Sequence, residues 1–127
     1  MKVWIAMLTL LLAVVGLCIW DYVHNTQVFT HMETESDQIY LSILNEEHSL
    51  DLQTKIEDLN TYWTKEMDVL CISISRKDLQ PISDFLQYLS TSMINENYED
   101  ALTYSRLLSY NIKGIKETNG IEFLNLL

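Results

Sequence analysis

His24, His31 and Glu35 stand seven and four residues apart. On a continuous helix that spacing lines all three along one face, where two imidazoles and a carboxylate suit a divalent metal, and where the imidazoles would titrate near neutral pH. Three unrelated polar residues on a solvated helix give the same pattern, and that is the plainer reading. His48 lies in turn-like sequence with no chemical partner nearby in the chain. Seven tyrosines, among them Tyr40, Tyr62, Tyr88, Tyr98, Tyr104 and Tyr110, offer rings for a peptide or glycan groove. Equally, tyrosine sits at bundle margins with its ring buried and its hydroxyl wet. There is no Gly-rich phosphate loop, His-Glu-x-x-His, Cys-x-x-Cys or Gly-x-Ser-x-Gly element. The sequence therefore nominates no catalytic residue, no cofactor-binding residue and no metal site, and no enzyme is expected.

Cys18 and Cys71 are the only cysteines. Cys18 lies within an apolar run, so no intradomain disulfide framework is available, and Cys71 in "VLCISI" is expected to behave as a small buried hydrophobe. Val3 to Trp20 is eighteen residues without a charge, ten of them Leu, Ile or Val. At about 1.5 Å per residue that run covers roughly 27 Å, close to the hydrocarbon thickness of a bilayer. Trp4 near one end and Trp20 and Tyr22 at the other suit the two interfaces. Gly16 and Cys18 are small enough for a signal-peptidase site, but the apolar run exceeds the usual signal length. A lipoprotein cysteine follows a small residue, whereas Leu17 precedes Cys18. The expectation is an uncleaved transmembrane signal-anchor over residues 1–23, followed by one domain over residues 24–127.

Charge supports an orientation. All eighteen acids lie at or beyond Asp21, with seven of the eight basic residues, giving that part a formal charge of −11. Lys2 is the only basic side chain before Lys55, so the positive-inside bias predicts a cytoplasmic N-terminus, a cell-membrane location and an extracytoplasmic domain. The acidic surface repels phosphate backbones, which argues against a nucleic-acid partner.

The elements behind these residues read as helices. One proline and three glycines leave few obligatory turns. Phe29, Met32, Ile39 and Ile43 mark one face at steps of three, seven and four, interrupted by the polar "TESDQ". Ser49 suits the N-cap of a second helix, with Asp51 in its first turn. Leu52, Ile56, Leu59, Trp63, Met67, Leu70 and Ile74 form the clearest stripe in the chain. "ISIS" (72–75) alternates like a strand but has no partner strand, so a helix end or irregular stretch is expected. Pro81 predicts the first turn of a third helix, carrying Ile82, Phe85, Leu86, Leu89 and Met93. Asn97 and Asp100 resemble a capping box for the fourth, with Ala101, Ser105, Leu108, Ile112 and Ile115 along its face. Gly114 and then Asn119–Gly120 read as stop signals, and the tail "IEFLNLL" as a segment docked on the bundle. The predicted fold class is all-α: an N-terminal transmembrane helix followed by an antiparallel bundle of three to four helices.

This chain resembles a bacterial family, domain of unknown function family 4363. The resemblance lies in "YVHN" after the anchor, in Trp63, and in "ISDFLQYLSTSMINENYEDALTYSRLL" with the closing "NGIEFLNLL". Where that family often has a His-x-Glu-Ile type segment, "SRKDLQPI" here places Arg76 and Asp78. The resemblance implies a small membrane-anchored helical protein and carries no activity. The sequence thus points to a non-enzymatic membrane protein with a protein partner; the alternative is an extracytoplasmic module sensing a ligand or metal through the tyrosines or the His24, His31 and Glu35 face.

Overall fold

The computed structural model describes residues 1–45 and 50–126, all of them in four helices and their connections. The first, α1 (Lys2–Leu44), runs unbroken for 43 residues, about 65 Å at 1.5 Å per residue. With no glycine or proline between Gly16 and its end, nothing interrupts its backbone ladder. Its first nineteen residues, 2–20, are all exposed, and packing begins at Asp21. The polarity boundary in the sequence and the burial boundary in the structure therefore coincide. Among the described residues, one helix is long and apolar enough to cross a membrane.

Beyond Asp21, α1 joins α2 (Leu50–Leu70), α3 (Arg76–Ile94) and α4 (Tyr98–Leu126) in a bundle. Each helix packs on two neighbours in the order α1, α2, α3, α4 and back to α1, and among the described residues neither diagonal pair shows a comparably close backbone approach. Neighbours are antiparallel. His24 and His31 of α1 meet Glu66 and Tyr62 of α2 in reverse order; Glu33 and Asp37 of α1 meet Lys116 and Lys113 of α4.

The predicted stripes form one core. Phe29, Met32, Ile39, Ile56, Trp63, Leu70, Ile82, Leu86, Leu89, Leu108 and Ile112 are fully buried. The step of seven between Met32 and Ile39 is filled by Ser36, which is also fully buried and whose hydroxyl donates to the Glu33 carbonyl. "TESDQ" is thus a helix turn with one small residue facing inward. α4 repeats the device with Ala101, Ser105 and Ser109. Small side chains let α1 and α3 approach α4 closely, whereas the Leu, Ile, Trp and Met stripe of α2 holds its axis farther out.

Four expectations need correction. α3 starts at Arg76 after Ser75, so Pro81 is an interior residue, the sixth of the helix. It lacks the N–H that would bond the Lys77 carbonyl, and Leu79 joins the buried face ahead of it. The Ser75-x-x-Asp78 spacing was the start signal. Second, α4 passes through Gly114 and Asn119–Gly120 without stopping. A glycine costs a helix only about 1 kcal/mol, and the long α1 gives α4 a surface to run along, tied by Lys113–Asp37 and Lys116–Glu33. Third, the tail is not a segment separate from the fourth helix: as far as Leu126 it continues α4, with Ile121 and Leu124 exposed on the last turns. Fourth, Tyr22 turns toward α4, where a Cβ at Gly120 would stand 3.9 Å from its hydroxyl; Trp20 alone of that pair faces outward.

"ISIS" lies in the turn between α2 and α3, as expected. Cys71 there is half-buried against the core. Asn97 caps α4: its Oδ1 accepts from the Asp100 backbone N–H at 3.3 Å while its Nδ2 donates to the Asp100 carboxylate at 2.7 Å. Ser49 and His48 lie outside the described residues.

Candidate functional site

The bundle has two ends of different chemistry. The end nearest the apolar rod is tied together by polar contacts to α1. His24 Nε2 lies 3.1 Å from Glu66 Oε2 on α2, and its ring stacks on Trp20 with centroids 5.3 Å apart. Asn25 Nδ2 donates to Ser73 Oγ in the α2–α3 turn at 3.0 Å. Beside that turn, a groove of about 500 Å³ opens between α3 and α4, lined by Ile74, Lys77, Pro81, Tyr110, Gly114 and Ile115 among others. The missing hydrogen bond at Pro81 leaves the Lys77 carbonyl on this side without its helical donor.

The three residues proposed for a metal separate. His24 takes Glu66 and Trp20; His31 packs on Tyr62, with ring centroids 4.4 Å apart and planes at 59°. His31 and Glu35 share a shallow hollow of about 190 Å³ with Lys55, Asp58 and Leu59. Among the described residues, no three His, Cys, Asp or Glu side chains come together to hold a metal ion. The sequence spacing was compatible with one helix face, but α2 packs against that face and gives each histidine its own partner. Burial, reinforced by the charge of Glu66, raises the Tyr62 phenol above its ordinary value. Residue types on α2 could not be matched to α1 from sequence, because the register between two helices depends on the intervening turn.

The tyrosines also divide. Tyr110 lines the groove near the rod, Tyr22 faces α4, and Tyr62 holds His31. Tyr88 and Tyr104 form a ring pair, with centroids 5.4 Å apart and planes at 43°. They lie toward the far end of the α3–α4 hairpin, where a groove of about 450 Å³ is lined by Gln87, Tyr88, Thr91, Asn95, Asp100 and Tyr104 among others. Amide and hydroxyl groups, two aromatic faces and a carboxylate converge there. That set can accept hydrogen bonds from a cationic side chain and offer it a ring face. Glu96, with the chain in the left-handed region at φ 58°, and Glu99 flank it. Exposed Leu41, Leu44 and Ile94 add apolar surface at the same end.

Charge separates along the bundle in the same sense. Cut across at the midpoints of its packed helices, with α1 taken from Asp21, the end near the rod has, among the described residues, five basic residues (Lys65, Arg76, Lys77, Lys113 and Lys116) against seven acids. The far end has Lys55 and Arg106 against nine acids among the described residues. The negative charge of the described residues thus lies mostly at the tip.

No protein-family model, characterised protein or solved structure matches the chain.

Proposed function

We propose that this is a non-enzymatic, single-pass protein of the cell membrane, with its N-terminus cytoplasmic and its acidic bundle extracytoplasmic, contacting a basic segment of a partner protein. One observation carries the reading: an exposed apolar helix continues without a break into a bundle whose negative charge is concentrated at the opposite end. From Asp21 to Leu44 the rigid α1 extends about 36 Å. Such a stalkless bundle presents its acidic tip, with the Tyr88–Tyr104 groove, away from the lipid. The resemblance to domain of unknown function family 4363 belongs to the same reading and adds no activity to it.

A photo-crosslinking residue in place of Tyr88 or Ile94, in the native host, tests the partner. The expected product is a salt-sensitive adduct with a distinct protein, absent when the crosslinker replaces Tyr110. Equal adducts at all three positions, or none, refute the tip as the contact. A mature protein beginning at Ile19 would refute the topology. The ligand-sensing alternative now rests on the 450 Å³ groove; a ligand at a hundred times its dissociation constant would stabilise the bundle by about 2.7 kcal/mol in a thermal shift.

A further inference from the structure

The end of the bundle next to the rod exposes apolar side chains that neither the core nor the proposed tip contact uses. Ile72, in the α2–α3 turn, is 83% exposed; Ile121 and Leu124, on the last turns of α4, are 59% and 70% exposed. They come from the α2–α3 turn and from α4, which antiparallel packing brings to the same end of the bundle. The Asn25–Ser73 hydrogen bond at 3.0 Å holds the turn five residues above Trp20, about 7.5 Å along the α1 axis. The headgroup layer on one side of a bilayer is about 5 to 7.5 Å thick, from a total near 40 to 45 Å around a core near 30 Å. Gly120 lies against Tyr22, and α4 continues from there to Leu126 in the direction of the apolar rod.

We propose that this end of the bundle rests on the bilayer, with Ile72, Ile121 and Leu124 in the headgroup layer, so that the domain is held at the lipid surface by three points besides α1. The proposal rests on α1 spanning the membrane. Its occupant is lipid because these side chains lie at the end of the bundle from which the exposed apolar part of α1 emerges, and because packing starts at Asp21 with no spacer that would lift the bundle away. Charge agrees with this placement. Arg76 and Lys77 directly follow the turn and are exposed, while nine of the sixteen acids among the described residues lie in the opposite half. An acidic domain approaching an anionic surface is repelled least with this end down. Isoleucine and leucine at the interface add their apolar area to the binding, and the domain then loses freedom to tilt about Trp20.

The test uses the full chain with Cys18→Ala and Cys71→Ala, reconstituted in phosphatidylcholine–phosphatidylglycerol vesicles. Single cysteines at Ile72, Ile121, Leu124, Leu11 or Ile94 carry an environment-sensitive fluorophore. All five positions are exposed, so the labels do not disturb the core. Lipids with a shallow nitroxide should quench the labels at Ile72, Ile121 and Leu124 roughly twofold or more over Ile94 at the far tip. Leu11 should be quenched by a deep nitroxide. Quenching at Leu11 with the other three no different from Ile94 overturns the surface contact while leaving the span intact. An unquenched Leu11 overturns the span and the proposal with it. A blue-shifted but unquenched label at Ile72 means that a second copy covers the patch, which also overturns it.

Discussion

Trp63→Phe probes how the core is held. Trp63 is fully buried, its Nε1 donates to Ser83 Oγ at 2.8 Å, and the same hydroxyl donates to Met67 Sδ at 3.2 Å. One indole thereby joins α2 to α3 through a directional bond within an otherwise apolar stripe. The change to phenylalanine removes about three heavy atoms from a close-packed site, worth about 2 kcal/mol at 0.8 kcal/mol per methylene-sized group. It also removes a hydrogen bond worth about 0.5 to 1.5 kcal/mol net, toward the lower figure because Ser83 is only half-buried. The expected loss is about 2 to 4 kcal/mol, lowering the midpoint by about 10 °C or more for a bundle of this size. Near-ultraviolet circular dichroism melts of the full chain in detergent would read it, since the tertiary signal of the bundle is lost on melting. The double-mutant cycle with Ser83→Ala isolates the bond. A coupling of about 0.5 kcal/mol or more is expected, and additivity within about 0.3 kcal/mol would refute the claim that this hydrogen bond stabilises the α2–α3 seam.

Ser105→Leu should destabilise the bundle by about 1 to 3 kcal/mol in the same melts, because the fully buried Ser105 lies in the small-residue stripe that lets α4 approach its neighbours. Arg106→Leu, one residue on and exposed, should stay within about 0.5 kcal/mol. Asn97→Ala should cost about 0.5 to 2 kcal/mol through loss of the cap to the Asp100 N–H, with Asn97→Ser recovering most of it. Tyr62, with its phenol raised by burial and then by Glu66, should be among the last tyrosines to ionise in an ultraviolet titration. Because the folded value lies above the unfolded one near 10, the folded state keeps the proton longer. Its contribution to stability is complete below that pH and is lost as pH rises through the folded value. Tyr62→Phe should flatten the alkaline decline, and an unchanged pH–stability curve would contradict the assignment.

The amphipathic periods in this chain determined the helices and their core faces. Leu52 through Leu70 and Ile82 through Met93 are recognisable because each buried position recurs at a helical step, whatever the partner. The same local physics made Asn97 a legible cap and Val3 to Trp20 a legible apolar rod. Local signals misled where packing outweighed them. Pro81 and Gly114 disfavour a helix by amounts that a long packed interface offsets, so α3 began earlier and α4 ran further than their breakers suggest. Ser36, Ser92 and Ser109 carry hydroxyls, which usually face water; they are buried here because close helix approach needs small side chains.

What the tertiary structure alone decided is which residues meet. His24, His31 and Glu35 kept their shared helix, but the register of α2 paired His24 with Glu66 and His31 with Tyr62. Of the tyrosines, the α3–α4 register joined Tyr88 to Tyr104. The separation of charge along the bundle, and the convergence of Ile72, Ile121 and Leu124 at its other end, likewise follow from antiparallel packing. Helical periodicity assigns a residue to a face of its own helix, whereas its height along the bundle and its neighbours depend on connections and axial sliding that no single helix encodes.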